Sequence, residues 1–166
     1  GFNLINQSSS QVEIVFSVHS MELQDFSLGD EMLKNISLSG VILPNTAGAP
    51  NLPTQSRYIA VPQGAQAQIE IVDYRVEVLH NIDLAPAFEI PLDTDLSPLR
   101  YQKNQAIYGL NANYPEQPLS LSSLRKIRGM DVVILSLTPF QYNPVTKDLI
   151  VYEDVRVKVH FNGGNG

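Results

Sequence analysis

Histidine stands at three positions, His19, His80 and His160, and each could act as a general base or a metal ligand. The three are far apart along the chain. None has a partner at the spacing of an H-x-x-x-H pair, so no metal centre can be read from them. His19 and His160 fall on the polar parity of alternating stretches, which describes a solvated strand face. Asp93 and Asp95 form a carboxylate pair at i, i+2 in a proline-rich stretch. Glycoside hydrolysis needs two carboxyls ~5–9 Å apart across a bond, and neighbouring loop acids are more simply solvated. The chain has no cysteine, which excludes a thiolate nucleophile and a disulfide. No G-x-S-x-G elbow occurs. Pro62-Gln63-Gly64 has one glycine and lacks the following helix of a phosphate loop. Arg125, Lys126 and Arg128 are the one basic cluster, read as the solvated entry to a strand, with Gly129 supplying a positive φ or a bulge. No catalytic residue, metal site or cofactor is therefore expected.

Length and charge narrow the classes further. A chain of 166 residues suits one domain and can bury about two-thirds of its unfolded surface. Seventeen acidic against eleven basic residues give a net charge of −6, which argues against a phosphate-tracking surface and hence against nucleic acid. No apolar run approaches the ~18 residues of a membrane span. The chain opens with Gly1, not Met, as expected of a processed or trimmed product.

Periodicity supplies the elements. Asp131 to Leu137 is apolar and β-branched, the pattern of a central strand. Leu149 to Phe161 alternates, with Val155, Val157, Val159 and Phe161 on one face and Arg156, Lys158 and His160 on the other. The two runs read as an antiparallel pair, with Asn143-Pro144 starting the turn between them. Upstream, Val12, Ile14, Phe16 and Val18 mark a strand, and Gly29-Asp30 marks a turn. Ile36 to Leu43 and Tyr58 to Val61 read as further strands, separated by a proline-containing break over 44–53. Gln66 to Leu79 is long and alternating, but its apolar parity changes from Ile69 and Ile71 to Val72, Tyr74, Val76 and Val78. That change predicts a β-bulge near Ile71-Val72. The expected fold is all-β, an antiparallel β-sandwich with a C-terminal hairpin and little helix. Residues 1–11 are expected as a flexible N-terminal segment, 12–161 as a single domain and 162–166 as a flexible tail.

One stretch stands apart. Arg100 to Leu121 is the least regular part of the chain, with Gly109, Pro115 and Pro118 among Tyr101, Tyr108 and Tyr114. A loop of about twenty residues in a compact domain tends to be functional.

Several segments together resemble a known family: Pro50-Asn51-Leu52-Pro53, Ile59 to Ala65, Leu84-Ala85-Pro86-Ala87, Tyr114-Pro115, Ile127-Arg128-Gly129 and, most specifically, Pro139 to Leu149. Their order and spacing are similar to those of the N-terminal prodomain of gingipain-type cysteine peptidases, secreted by bacteria of the Bacteroidetes group. The resemblance runs from Val12 to Phe161. It implies a non-catalytic domain of a precursor that keeps the peptidase latent, helps it fold and is removed by cleavage. The implied partner is the cognate catalytic domain, normally in the same precursor chain. The implied location is secreted, periplasmic or at the bacterial cell surface. Such an inhibitor presents a rigid loop to the substrate cleft. Arg100 to Leu121 is the candidate loop. The resemblance implies a basic blocking side chain where the peptidase cuts after Arg or Lys, so Lys103 and Arg100 are candidates, followed by Asn111, Asn113 and Tyr114. The alternative is an adhesion or carbohydrate-binding β-sandwich, for which Tyr101, Tyr108 and Tyr114 would supply an exposed aromatic row. A hydrolase in its own right would need an acid pair in a cleft, and none is legible.

Overall fold

The computed structural model describes residues 2–18, 21–38, 46–89 and 100–163. In chain order the elements are β1 (Phe2–Gln7), β2 (Gln11–Ser17), β3 (Glu22–Leu28), β4 (Glu31–Ser37), β5 (Gln55–Ala60), β6 (Gln66–Leu79), β7 (Phe88–Glu89), β8 (Arg100–Tyr101), the helical turn α1 (Gln105–Tyr108), β9 (Leu119–Leu121), β10 (Arg125–Ile127), β11 (Met130–Leu137), β12 (Phe140–Asn143) and β13 (Asp148–Asn162). Every strand pair in its sheets is antiparallel, as the alternating patterns predict.

The longest strand, β13, is the centre of a five-stranded sheet. Along one edge it pairs first with β12, through Asp148 to Val151, and then with β2, through Asp154 to His160. Its other edge pairs with β6 over nearly its whole length. A second sheet is built on β11, with β5 along one edge and β9 and β10 along the other. Val12, Ile14 and Phe16 of β2 and Val155, Val157 and Val159 of β13 bury against Val133, Leu135 and Leu137 of β11, forming the first core between the sheets. A second core gathers Phe140, Tyr142, Leu149 and Val151 with Ile36, Leu38, Leu52, Ile82 and Leu84.

One strand feeds both cores. Leu149 and Val151 belong to the second, and Val155, Val157 and Val159 to the first. All five are odd-numbered, so an unbroken strand would point them to one face. The register slips between Tyr152 and Asp154, leaving Glu153 as a bulge. The slip reverses the side-chain parity, so the two cores occupy opposite faces of the same sheet. A second slip lies in β6, where Arg156 faces Asp73 and Val157 faces Ile71, skipping Val72. This is the bulge that the parity change at Ile71-Val72 predicts.

Three expectations are corrected. The runs 131–137 and 149–161 are not partners: β11 lies in one sheet and β13 in the other. The chain changes sheets at Pro139, whose carbonyl accepts from the Tyr152 amide at 2.9 Å. Proline has no N–H to continue the β11 ladder, and the true hairpin is β12–β13. Periodicity marks a strand but does not name its neighbour. Second, the polar N-terminal segment forms β1, paired with β2. Phe2 meets Phe16 edge-on with ring centroids 4.9 Å apart, which anchors a strand that is otherwise exposed. Third, Asn162, expected outside the domain, is paired with Gln66 in the β13–β6 ladder.

The hairpin turn after β12 follows its residue types. The Asn143 side-chain oxygen accepts from the amides of Val145 at 3.0 Å and Thr146 at 3.2 Å, and Lys147 adopts a φ of 61°. Gly29, at φ 59°, closes the β3–β4 hairpin where a turn is predicted.

Because β13 belongs to both cores, they should unfold together. Leu135→Ala in the first core and Leu149→Ala in the second, each fully buried, are expected to cost about 2–5 kcal/mol. Urea unfolding of either variant, followed by far-ultraviolet circular dichroism and by hydrogen exchange, should give one coincident transition. Two separated transitions would show that the shared strand does not couple the cores.

Candidate functional site

The segment 100–121 is held at many points. At its start, β8 pairs with β7, and the Tyr101 ring packs between Phe26 at 4.8 Å and Phe88 at 5.8 Å. The Asn104 amide donates to the Gly48 carbonyl at 2.9 Å. Gly48 has a φ of 84°, and a Cβ there would lie 2.9 Å from the Gln102 carbonyl, so this crossing requires glycine. The Asn104 side chain caps α1 by accepting from the Ala106 amide at 2.9 Å. The turn ends at Gly109, whose amide donates to the Gln105 carbonyl at 2.9 Å. Little helix is predicted for this chain, and this single turn is what the described residues contain.

The two ends of the turn face a polar groove lined by Glu31, Asp83, Lys103, Tyr108, Tyr142 and Lys147. Its charges are paired. Lys103 Nζ donates to Glu31 at 2.8 Å and lies 5.2 Å from the centre of the Tyr108 ring. Lys147 lies 2.8 Å from Asp83, and that hydrogen bond raises its pKa. The Tyr108 hydroxyl donates to the Leu84 carbonyl at 2.9 Å, and burial, with Tyr142 and Glu31 nearby, pushes its pKa well above the ordinary value. The Tyr142 hydroxyl donates to the Ile82 carbonyl at 2.5 Å and accepts from the Leu84 amide at 3.3 Å; burial raises its pKa also. Each donor meets an acceptor within the chain, so the groove acts as a brace between β4, the 82–84 segment and the loop.

Beyond the brace the chain projects. Gly109, Leu110, Asn111, Ala112 and Asn113 are all exposed, Leu110 at 58%. Asn111 accepts from the Asn143 side-chain amide at 2.8 Å, tying the apex to the β12–β13 turn. Tyr114 then exchanges backbone bonds with Tyr142 at 2.9 and 2.8 Å. The Gln141 side chain donates to the Pro115 carbonyl at 2.9 Å, and the Thr138 amide donates to the Pro118 carbonyl at 2.8 Å before β9 joins the second sheet. The segment is thus a fixed loop with one protruding apex.

The predicted site residues separate on this frame. Asn111 and Asn113 are at the apex and Tyr114 is its half-buried far anchor. Lys103 is at the base, engaged with Glu31 and Tyr108. Arg100 lies in β8, before the base. Tyr101, Tyr108 and Tyr114 are each half-buried and point into the protein, so they form no exposed aromatic row. His80 pairs with Asp148 and His160 with Glu70, both at 2.7 Å, at opposite ends of the β6–β13 ladder. His19, Asp93 and Asp95 lie outside the described residues. The basic cluster forms the β10–β11 hairpin, whose two-residue turn has Arg128 at φ 51° and Gly129 at φ 78°, with Lys126 4.0 Å from Asp131. Nothing in the sequence marks Tyr142 and Asn143 as positioning residues for the loop. Their alternation with Phe140 signals one buried and one exposed face, but not the loop that each one holds.

Comparison with known proteins gives one direction. Residues 3–165 match the profile of the family described as Propeptide_C25. Gingipain R1 of Porphyromonas gingivalis is 31% identical over 118 residues, covering 68% of this chain and 11% of that protein. Lys-gingipain HG66 of the same organism is 23% identical over 168 residues, covering 96% of this chain and 10% of that protein. The chain therefore spans about a tenth of the length of these relatives. Among solved structures, a complex of the Porphyromonas gingivalis RgpB pro- and mature domains superposes with a TM-score of 0.90 at 22% identity, covering 99% of this chain and 87% of that one. A structure on the zymogenic latency of gingipain K superposes at 0.82 and 23% identity, covering 99% and 93%. Both share the fold.

The buried phenols give an alkaline signature. A folded-state pKa raised above the ordinary value of 10.0 means that the stabilisation is complete below that pH and is lost as the pH rises past it. In an ultraviolet titration Tyr108 and Tyr142 should ionise only as the sheet signal in circular dichroism disappears. Tyr142→Phe, which leaves the Ile82 carbonyl and Leu84 amide without this partner, is expected to cost about 1–3 kcal/mol at neutral pH. Early, reversible ionisation of every tyrosine with the sheet intact would contradict the buried brace.

Proposed function

Because this chain belongs to the Propeptide_C25 family, we propose that it is the prodomain of a secreted gingipain-like cysteine peptidase precursor. In this reading it keeps the catalytic domain latent and assists its folding until proteolysis removes it. The chemistry belongs to the neighbour, since a chain without cysteine has no nucleophile for that reaction. The partner is the catalytic domain of the same precursor, acting outside the cytoplasm.

The observation that carries this reading is the braced loop. An inhibitor that occupies a cleft gains affinity when its contact segment is ordered before binding. It also resists turnover when that segment cannot relax into a substrate geometry. The segment 100–121 has these properties: capped at α1, tied to β4 and β12, and exposed at residues 109–113. We assign the contact to the apex, with Asn111 and Asn113 presented to the cleft and Tyr114 as the anchor. Lys103 would have to exchange Glu31 for a partner carboxylate before it could enter a pocket, and its place at the base suits a positioning role.

The purified chain is expected to inhibit its catalytic domain with sub-micromolar affinity. Replacing residues 109–113 by a Gly-Ser run should weaken inhibition by about a hundredfold or more, whereas Lys103→Ala should change it by less than about tenfold. Progress curves with a peptide substrate measure both. No inhibition by the unaltered chain at tens of micromolar sinks the prodomain reading; a greater loss from Lys103→Ala than from the apex replacement transfers the blocking role to Lys103.

A further inference from the structure

The β6 strand carries a surface that the loop does not explain. Its inner edge is paired with β13, and among the described residues no strand pairs with its outer edge. The bulge at Val72 restores the parity, so Ala67, Ile69 and Ile71 share one face with Tyr74, Val76 and Val78. Ala67 and Ile69 pack on the first core. Beyond them the second sheet stops, and the apolar row continues into solvent: Ile71 is 43% exposed, Tyr74 59%, Val76 42% and Val78 43%. A row of this kind on one strand is a candidate contact surface, unlike scattered single residues.

The row joins the loop side of the molecule. Tyr74 meets Tyr152 edge-on at 5.8 Å, and the Tyr152 hydroxyl donates to the Gln141 side-chain carbonyl at 2.5 Å. Gln141 in turn donates to the Pro115 carbonyl. Ile150 is opposite both Val78 and Gln141, so all three share a face. That face therefore runs from the β6 edge to the foot of the apex.

We propose that this face of β6, with its outer edge, is a second docking surface for the catalytic domain, and this rests on the prodomain reading above. The charges argue against a second copy as occupant. Glu70, Asp73 and Glu77 lie along β6, and its one cation, Arg75, is engaged by Glu153 at 3.0 Å and Asp154 at 2.7 Å. With three carboxylates against that one engaged cation, two copies paired edge to edge would bring together strands of the same net negative charge, and like charges destabilise a strand pair. A heterologous partner can offer apolar side chains to the row and backbone groups to the edge.

Val76→Lys tests this, because it changes an exposed side chain outside both cores. It is made alongside Tyr74→Ser, which serves if the first variant proves unstable. Inhibition of the catalytic domain and hydrogen exchange over residues 71–78 are measured for the complex. A loss of affinity of about tenfold or more at unchanged melting temperature, with slowed exchange in the unaltered complex, is the expected result. Equal inhibition by both variants, or exchange that the partner leaves unchanged, overturns the surface while the prodomain reading stands. No inhibition by the unaltered chain removes both. A dimer of the unaltered chain in light scattering that Val76→Lys dissolves gives the surface to a second copy and overturns the proposal.

Discussion

The rest of the structure depends on one strand serving two cores. β13 meets β12, β2 and β6 along its length, and its buried side chains go to opposite faces on either side of Glu153. A straight strand offers one apolar face and one wet face. Burying both ends on different faces requires a parity reversal, and a single unpaired residue achieves it. Glu153 can occupy the bulge because its carboxylate turns outward to Arg75. The bulge thus sets where the first core ends and where the second, which supports the loop, begins.

The loop draws its rigidity from that second core. Tyr142 is buried beside Phe140 and Leu149, and its hydroxyl fastens the 82–84 segment. Its backbone holds Tyr114, and the next residue, Asn143, holds Asn111. The order of the apex therefore does not come from the apex sequence. It comes from groups some thirty residues away in sequence, braced by a strand that both cores share. This division suits a binding element, because the tip can vary without disturbing the support.

Strands were largely legible in the sequence, and their neighbours were not. Val12, Ile14 and Phe16, the valines of β13 and the parity change at Val72 each leave a local period-two signature. Pairing leaves none. The 131–137 run looked like the partner of 149–161 because only a short stretch separates them, yet Pro139 turns the chain into the other sheet. β1 was hidden because five of its six residues are exposed and only Phe2 has a core contact. For the loop, the family resemblance makes Lys103 a candidate blocking side chain, and the carboxylate and the ring that hold it come from β4 and α1. A contact between residues so far apart in sequence carries no spacing signal. Tyr142 and Asn143 stood inside the most specific segment of the family resemblance, but a motif gives identity without role.

The order of the strands in the large sheet has a consequence for how the chain is made. β2 precedes most of the fold in sequence, and it pairs with β1 and with β13, the last strand among the described residues. β6 likewise waits for β13 along its entire inner edge. Until that final strand joins, β2 and β6 lack the neighbour between them, and the valines that complete the first core beside Val12, Ile14 and Phe16 are missing. Closure of the sheet is then a late, long-range event, the kind that makes β-rich domains slow to assemble and exposes their edges meanwhile.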